Sequence, residues 1–302
     1  MYPYILLIFT VIFYAGNILV GKAINELPPV TITFFRLLTA FIVLFPVGAA
    51  GAWRRRSELM EHKKPLLIMT LTGISLFNVF LYGSLQFTTS TKVAVMEAVI
   101  PVVTVILSTY MLKERLKVLQ WAGILLSLAG AVWVVMNGKV LQLAAVGWNI
   151  GDAIMVGAVL AWSIYTIAVK KYMHLFPLYG TLLVMSGLSL ILLMPFLVIE
   201  WFVTGIPVFT VPNVGGLLFL GIFPSVLALI FYNRAVEMLD PSRASIFLNF
   251  LPVVTMIGAY FWLGETVTAA QIAGALAVIG GVLLTTRGKS SGDKLKKTKN
   301  EV

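Results

Sequence analysis

The sequence predicts an all-α integral membrane protein, with ten transmembrane helices arranged as two inverted five-helix repeats. Three observations predict it. Of the 302 residues 60% are hydrophobic and only 11% charged, with a mean hydropathy of +0.98, more apolar surface than a soluble core of this length can hide. The apolar residues fall into ten stretches, each near the roughly 20 residues needed to cross a hydrocarbon core of about 30 Å. Landmarks of the first half recur in the second at a nearly fixed offset.

The spans lie near residues 3–23, 29–51, 65–87, 91–111, 118–137, 150–170, 177–201, 213–237, 242–263 and 269–286. They must be helical, because backbone groups in lipid have to be paired within the segment. The first span follows Met1-Tyr2-Pro3-Tyr4, which has no basic n-region, and its apolar run to Val20 is long for a signal peptide, so it is read as retained. Connectors are short and leave little for a soluble domain.

With the N-terminus in the cytoplasm, eighteen of the 22 Lys and Arg fall on the inner side. Arg54, Arg55, Arg56, Lys63, Lys64, Lys113, Arg115, Lys117, Lys170, Lys171, Arg234 and Arg243 lie in inner loops, and six more lie in the tail 287–302. Only Lys22, Lys92 and Lys139 face outward, and Arg36 is within a span. This positive-inside bias places both termini in the cytoplasm of a bacterial-type cell membrane. The net charge of +10 is therefore an orientation signal, Arg54-Arg55-Arg56 reads as a topology anchor, and no nucleic-acid partner is expected. The basic tail is expected to be disordered, with a weak attraction to anionic lipid. Cysteine is absent, and His62 and His174 sit far apart in predicted loops, so no metal and no cofactor are expected. The chain also lacks a Gly-rich phosphate loop and a nucleophile elbow, which argues against an ATP-driven pump.

The repeat is specific. Residues 101–104 and 252–255 both read P-V-V-T, an offset of 151. At that offset Lys92 falls on Arg243, Leu112 and Glu114 on Leu263 and Glu265, Gly123 on Gly274 and Gly130 on Gly281. Earlier in each half the offset is 148, with Lys22 on Lys170 and Pro29 on Pro177. The units are thus 3–137 and 149–286. Five is odd, so the second unit enters the membrane the opposite way round, an architecture that recurs in transporters with the substrate site near the midplane. Two rows of small residues, Ala269, Ala273, Ala277 and Gly281 and also Gly123, Ser127 and Ala131, are expected to let helices approach closely.

The stretch from Pro101 to Val135, with P-V-V-T, L-K-E-R and the spaced Gly123 and Gly130, resembles the second part of an EamA unit. Pro252 to Leu284, with L-G-E-T, resembles the same segment of a second unit. Over nearly its whole length the chain is similar to EamA-domain transporters of the drug/metabolite transporter superfamily. The resemblance implies a secondary transporter with the fifth helix of each unit at the periphery and the others around a central cavity. It implies export of small metabolites such as amino acids or amphiphilic, drug-like compounds, in some members by proton exchange. An intramembrane enzyme acting on lipid would need acids or histidines clustered at one interface, and a signalling or scaffold protein would need a sensing domain. Neither is found.

Intramembrane ionisable residues are the best site indicators, since each costs at least roughly 2.5–3.5 kcal/mol at a helix centre. Arg36 and Glu97 lie at matching depth, about 10 Å below the outer ends of spans 2 and 4. Their repeat counterparts, Val184 and Leu248, are both apolar. Two readings stay open: a structural ion pair, or a Glu97 that carries a coupling proton or meets a cationic substrate group. An adjacent Arg36 would hold the carboxylate ionised and oppose proton exchange. Pro101 and Pro252 free the carbonyls of Glu97 and Leu248 and are expected to kink the fourth helix of each unit. The remaining candidates are Asn17, Asn78, Tyr82, Trp162, Tyr165, Asn233 and Asn249. Asn17 and Tyr165 are repeat counterparts, as are Tyr82 and Asn233. Each amide reads equally well as interhelical glue worth about 0.6 kcal/mol. Glu114 and Glu265 are expected at helix beginnings, where a carboxylate suits the positive dipole end. A single deep cation disfavours phosphorylated substrates.

Overall fold

The computed structural model describes residues 2–88, 90–113, 116–140, 149–263 and 267–287. Glu114, Glu265 and the tail from 288 onward lie outside the described residues. Among those described there is no strand, and nine helical runs are long and apolar enough to cross a membrane. They are spans 1 to 8, Tyr2–Ala23, Pro29–Arg54, Lys63–Phe87, Val93–Met111, Val118–Val135, Ile150–Leu175, Leu178–Thr204 and Val211–Met238, and span 10, Ala269–Thr286.

Span 9 departs from the expected single helix. It consists of an α-helix Pro241–Ser245, a 3-10 segment Ile246–Phe250 and an α-helix Leu251–Leu263. Span 4 is interrupted at the equivalent point: a helix Ser90–Glu97, a turn at Ala98 and Val99, then a helix Ile100–Met111. Each break directly precedes the proline of P-V-V-T. The ring has no N–H for the carbonyl four residues back and crowds it, so α-geometry is lost in the turn before it.

Spans 3 and 8 share a second irregularity. Each contains a π-helical stretch, Thr70–Leu76 and Phe223–Ala228 respectively. In span 8 the cause is local. Pro224 cannot donate to the Leu220 carbonyl, and the Ser225 hydroxyl donates to it instead, at 2.7 Å, so the freed group stays satisfied.

The halves pack on each other in matched pairs: span 2 on 7, span 5 on 10, span 3 on 6 and span 1 on 8. Two lysines carry the same relation. Lys22 Nζ donates to the Leu85 carbonyl and Lys170 Nζ to the Glu237 carbonyl, each at 3.2 Å. Each lysine closes the first helix of its unit and caps the C-terminal end of the third, where a cation suits the dipole.

Spans 5 and 10 meet through glycine. A Cβ on Gly281 would stand 2.5 Å from the Gly123 carbonyl oxygen, and one on Gly130 would stand 2.7 Å from that of Gly274. Gly123, Ser127 and Ala131 lie on the buried face as expected. The row on span 10 does so only in its second half: Ala277 and Gly281 meet span 5, whereas Ala269 and Ala273 are exposed and the buried face runs through Gly274, Val278, Gly281 and Thr285. Steps of four residues overshoot a helical turn by about 40°, so a strict four-residue row spirals off a contact that alternating steps of three and four would follow. Gly281→Val is expected to destabilise the protein by about 1–3 kcal/mol, read as a lower Tm of the purified protein. Gly215→Ala, where nothing lies within 4 Å of the added carbon, should leave Tm unchanged or slightly raised.

Candidate functional site

The interior holds a small cavity lined by spans 1, 2, 3, 4, 6, 8 and 9. About 40 Å³ of it is open to water, room for about three molecules at most. The helix irregularities converge on it: Gly73 and Ile74 from one π-helical stretch, Pro224 and Ser225 from the other, and Glu97 and Leu248 beside the breaks of spans 4 and 9.

Arg36, 3% exposed, reaches out of span 2 into a polar cluster. Its Nε donates to Ser225 Oγ at 2.8 Å, and its Nη1 donates to Asn78 Oδ1 at 2.8 Å, to Asn17 Oδ1 at 3.0 Å and to Tyr82 Oη. Tyr82 in turn donates to Asn17 Oδ1 at 2.9 Å. Nη2 has no hydrogen bond among the described residues. The guanidinium is thus held by spans 1, 3 and 8, and such charge-assisted bonds offset much of its desolvation.

Glu97, 6% exposed, lines the same cavity from span 4, but no ion pair joins it to Arg36 among the described residues. Its Oε2 is buried with no hydrogen-bond partner. The ion-pair reading of the sequence therefore does not describe this conformation. Matching depth fixes position along a helix but not the direction of the side chain, and Arg36 is turned toward the amide oxygens of Asn17 and Asn78. Glu97 is also the last residue of its short helix, so its carboxylate sits at the negative end of the dipole. Two further orphan polar atoms face the cavity, Tyr14 Oη and Trp162 Nε1. Their rings meet edge to face at 5.6 Å.

Five of the nine side chains singled out in the sequence, Asn17, Arg36, Asn78, Glu97 and Trp162, line the cavity. Tyr82 stands one hydrogen bond behind. Tyr165 and Asn233 pair with each other, Tyr165 Oη donating to Asn233 Oδ1 at 2.7 Å, outside the lining and beside Trp162. This is the Asn17–Tyr82 pair of the first unit with the two residue types exchanged. Asn249 is turned toward span 5, its Nδ2 donating to Ser127 Oγ at 3.1 Å. Pro101 lies in the first turn of the helix that follows the break in span 4, and Pro252 does the same after the 3-10 segment. Sequence reasoning missed Tyr14 and Ser225. Tyr14 was within reach, because the offset of 148 makes it the counterpart of Trp162 and it lies one turn from Asn17.

Polarity follows the repeat boundary. The first unit supplies Asn17, Arg36, Asn78 and Glu97; the second supplies Trp162, Leu229, Leu248 and Leu251, with Ser225 its one hydroxyl. The charged and amide groups of the cavity thus come from the first unit, while apolar and aromatic residues of both units, Tyr14, Phe77 and Trp162 among them, complete the lining.

Comparison with known proteins agrees with this architecture. The model of the EamA-like transporter family matches residues 1–136 and 149–287. The chain belongs to this family. Among its EamA relatives, the uncharacterized transporter YyaM of Bacillus subtilis is 26% identical over 82% of this chain and 81% of its own. An uncharacterized transporter of Archaeoglobus fulgidus is 27% identical over 94% of this chain and 96% of its own. A probable terminal-alkyne amino-acid exporter of Streptantibioticus cattleyicolor is 24% identical over 83% and 82%. A protein crystal structure superposes with a TM-score of 0.75 at 17% identity, covering 94% of this chain and 97% of that one, which shows the same fold. The chain is thus a multi-pass membrane protein of a transporter family, and small molecules are its substrates.

The approach of Gly73 to Tyr165 gives a test of the cavity wall. A Cβ on Gly73 would lie 2.2 Å from the Tyr165 ring, deep in the π-helical stretch. Gly73→Ala is expected to cost about 1–3 kcal/mol, measured as a drop in Tm.

Proposed function

We propose that the protein is a secondary transporter that exports small zwitterionic metabolites, amino acids and amphiphilic compounds of that build, by alternating access to the central cavity. The observation that carries this reading is the unpartnered carboxylate of Glu97 in a cavity it shares with the Nη2 face of Arg36. A desolvated carboxylate is relieved by a proton or by a cation. Glu97 meets the substrate ammonium, Arg36 Nη2 meets its carboxylate, and the aromatic wall of Tyr14, Phe77 and Trp162 receives the side chain. Exchange of a proton for the ammonium at Glu97 couples export to proton entry. The name of the Streptantibioticus cattleyicolor relative, a probable terminal-alkyne amino-acid exporter, supports transport of amino-acid-like solutes. The excess of Lys and Arg in the inner loops supports an orientation in the cell membrane with both termini on the cytoplasmic side.

The cavity has room only for a few water molecules, so the spans around it must separate for a metabolite to enter. The breaks before Pro101 and Pro252 are the hinges of that movement.

The test is flux through purified protein in liposomes with an imposed pH gradient. The panel contains an amino acid, the corresponding amine without its carboxylate, and the corresponding acid without its amine. The intact amino acid is expected to move fastest and to dissipate the gradient. Failure of every solute under every gradient would overturn the reading. Trp162→Leu is expected to raise the half-saturating concentration about tenfold by removing the aromatic face that receives the substrate side chain.

A further inference from the structure

The two ends of the contact between spans 2 and 7 are related by the repeat, yet they are filled differently. At one end Trp201 of span 7 lies over Phe35 of span 2, with ring centroids 6.3 Å apart, and its Nε1 donates to Thr31 Oγ1 at 3.0 Å. Phe209, from the connector that follows, closes on Phe35 at 4.9 Å. Glu200 Oε1 and Oε2 accept from the backbone N–H groups of Val30 and Thr31 at 2.9 and 2.7 Å. The chain's own side chains occupy the contact between the two helices at this end, and a separate, more polar pocket lies beyond it between Pro28, Pro29, Thr204 and Val208.

At the other end the counterpart of Trp201 is Trp53, the counterpart of Phe35 is Leu183, and the counterpart of Glu200 is Ala52. Trp53 is 72% exposed and turned outward beneath the Arg56 guanidinium, which stands 4.6 Å above its ring. What remains is an open cleft of about 690 Å³. Ala52, Leu59, Leu66, Leu183 and Leu188 wall it, and Arg56, Lys63 and Lys64 stand at its edge. Leu188 lies ten residues into span 7, about 15 Å, which is half of a hydrocarbon core of roughly 30 Å. The cleft therefore has the depth of one leaflet. Its three cations have no acidic partner among the described residues, whereas the adjacent Arg55 is paired with Glu58.

We infer that this cleft binds one anionic phospholipid of the bilayer, with an acyl chain between spans 2 and 7 and the phosphate held by Arg56, Lys63 and Lys64. The occupant follows from charge and shape together. Three unpaired cations match a net negative headgroup, with the planar Arg56 suited to two phosphate oxygens and the lysines acting as point charges. The walls accept hydrocarbon and offer no polar group to a soluble anion's remaining surface. The site is separate from the central cavity, and its test does not depend on the transport reading.

The full-length protein is purified, exposed to mixed phosphatidylglycerol and phosphatidylcholine vesicles, and its retained lipid counted by native mass spectrometry. Preferential retention of one phosphatidylglycerol is expected. The triple variant Arg56→Gln, Lys63→Gln, Lys64→Gln should lower that affinity at least about tenfold. The double variant Arg54→Gln, Arg55→Gln removes two cations outside the cleft and should leave it unchanged. Leu183→Trp, which fills the cleft and spares the charges, should also expel the lipid. Equal retention of the two lipids by the parent, or undiminished phosphatidylglycerol binding in the triple variant or in Leu183→Trp, would overturn the inference.

Discussion

Glu97→Gln is expected to lower the transport rate at least about tenfold while leaving the thermal stability of the purified protein at or above the parent value. The two halves of this expectation have different causes. Stability is spared because Oε2 has no hydrogen-bond partner in the protein, so the amide breaks no contact and removes the cost of a desolvated carboxylate. Transport is lost because the amide neither takes up a proton nor attracts an ammonium. Loss of one charge-assisted contact of about 1.5–3 kcal/mol corresponds to roughly ten- to a hundredfold in rate. Glu97→Asp retains the charge on a shorter arm and should fall between. Proteoliposome flux beside a thermal unfolding scan decides the matter. Unchanged flux in Glu97→Gln would remove Glu97 from the transport site.

Arg36→Leu is expected to do the opposite first, lowering stability by about 3 kcal/mol and the yield of folded, monodisperse protein with it. Its guanidinium satisfies acceptors from three other spans, on residues as far away in sequence as Ser225. Removing it leaves Asn78 Oδ1 without its guanidinium donor, while Asn17 Oδ1 keeps only the Tyr82 hydroxyl. Arg36→Lys should rescue little, because one ammonium cannot stand at the Nε and Nη1 positions together. Tm of the two variants measures the effect. A parent-like Tm with abolished flux would make Arg36 a substrate contact alone and not the hub of the polar cluster.

The contrast between these two residues shows what could be read from the chain. Apolar length and the repeat gave the spans, because in lipid a helix is the only open choice and a duplication repeats its landmarks. Depth was legible too: Arg36 and Glu97 do line one cavity. Direction around the helix axis was not. The polar residues of spans 2 and 4 do not by themselves say which neighbouring helix each side chain meets, and an ion pair looked as natural as the amide cluster that Arg36 prefers. The row Ala269, Ala273, Ala277 and Gly281 departs from the contact in its first half for the same reason, Ala269 and Ala273 being exposed, since sequence spacing alone did not say which face of span 10 meets span 5. The π-helical stretches were hidden as well, although Pro224 followed by Ser225 is a local cause of the second one.

The sequence by itself determined a membrane-embedded, twofold-repeated helical protein with two breaks before Pro101 and Pro252, because hydrophobicity, chain length and missing N–H groups are properties of the chain. Only the tertiary structure decided that Glu97 stands unpartnered, that Tyr14 joins Trp162 as its symmetry mate, and that one end of spans 2 and 7 is filled by Trp201 while the other stays open beside Trp53. Those outcomes depend on which side chains from different helices fill a shared space at the lowest free energy. Packing of distant segments sets that, and no local pattern encodes it.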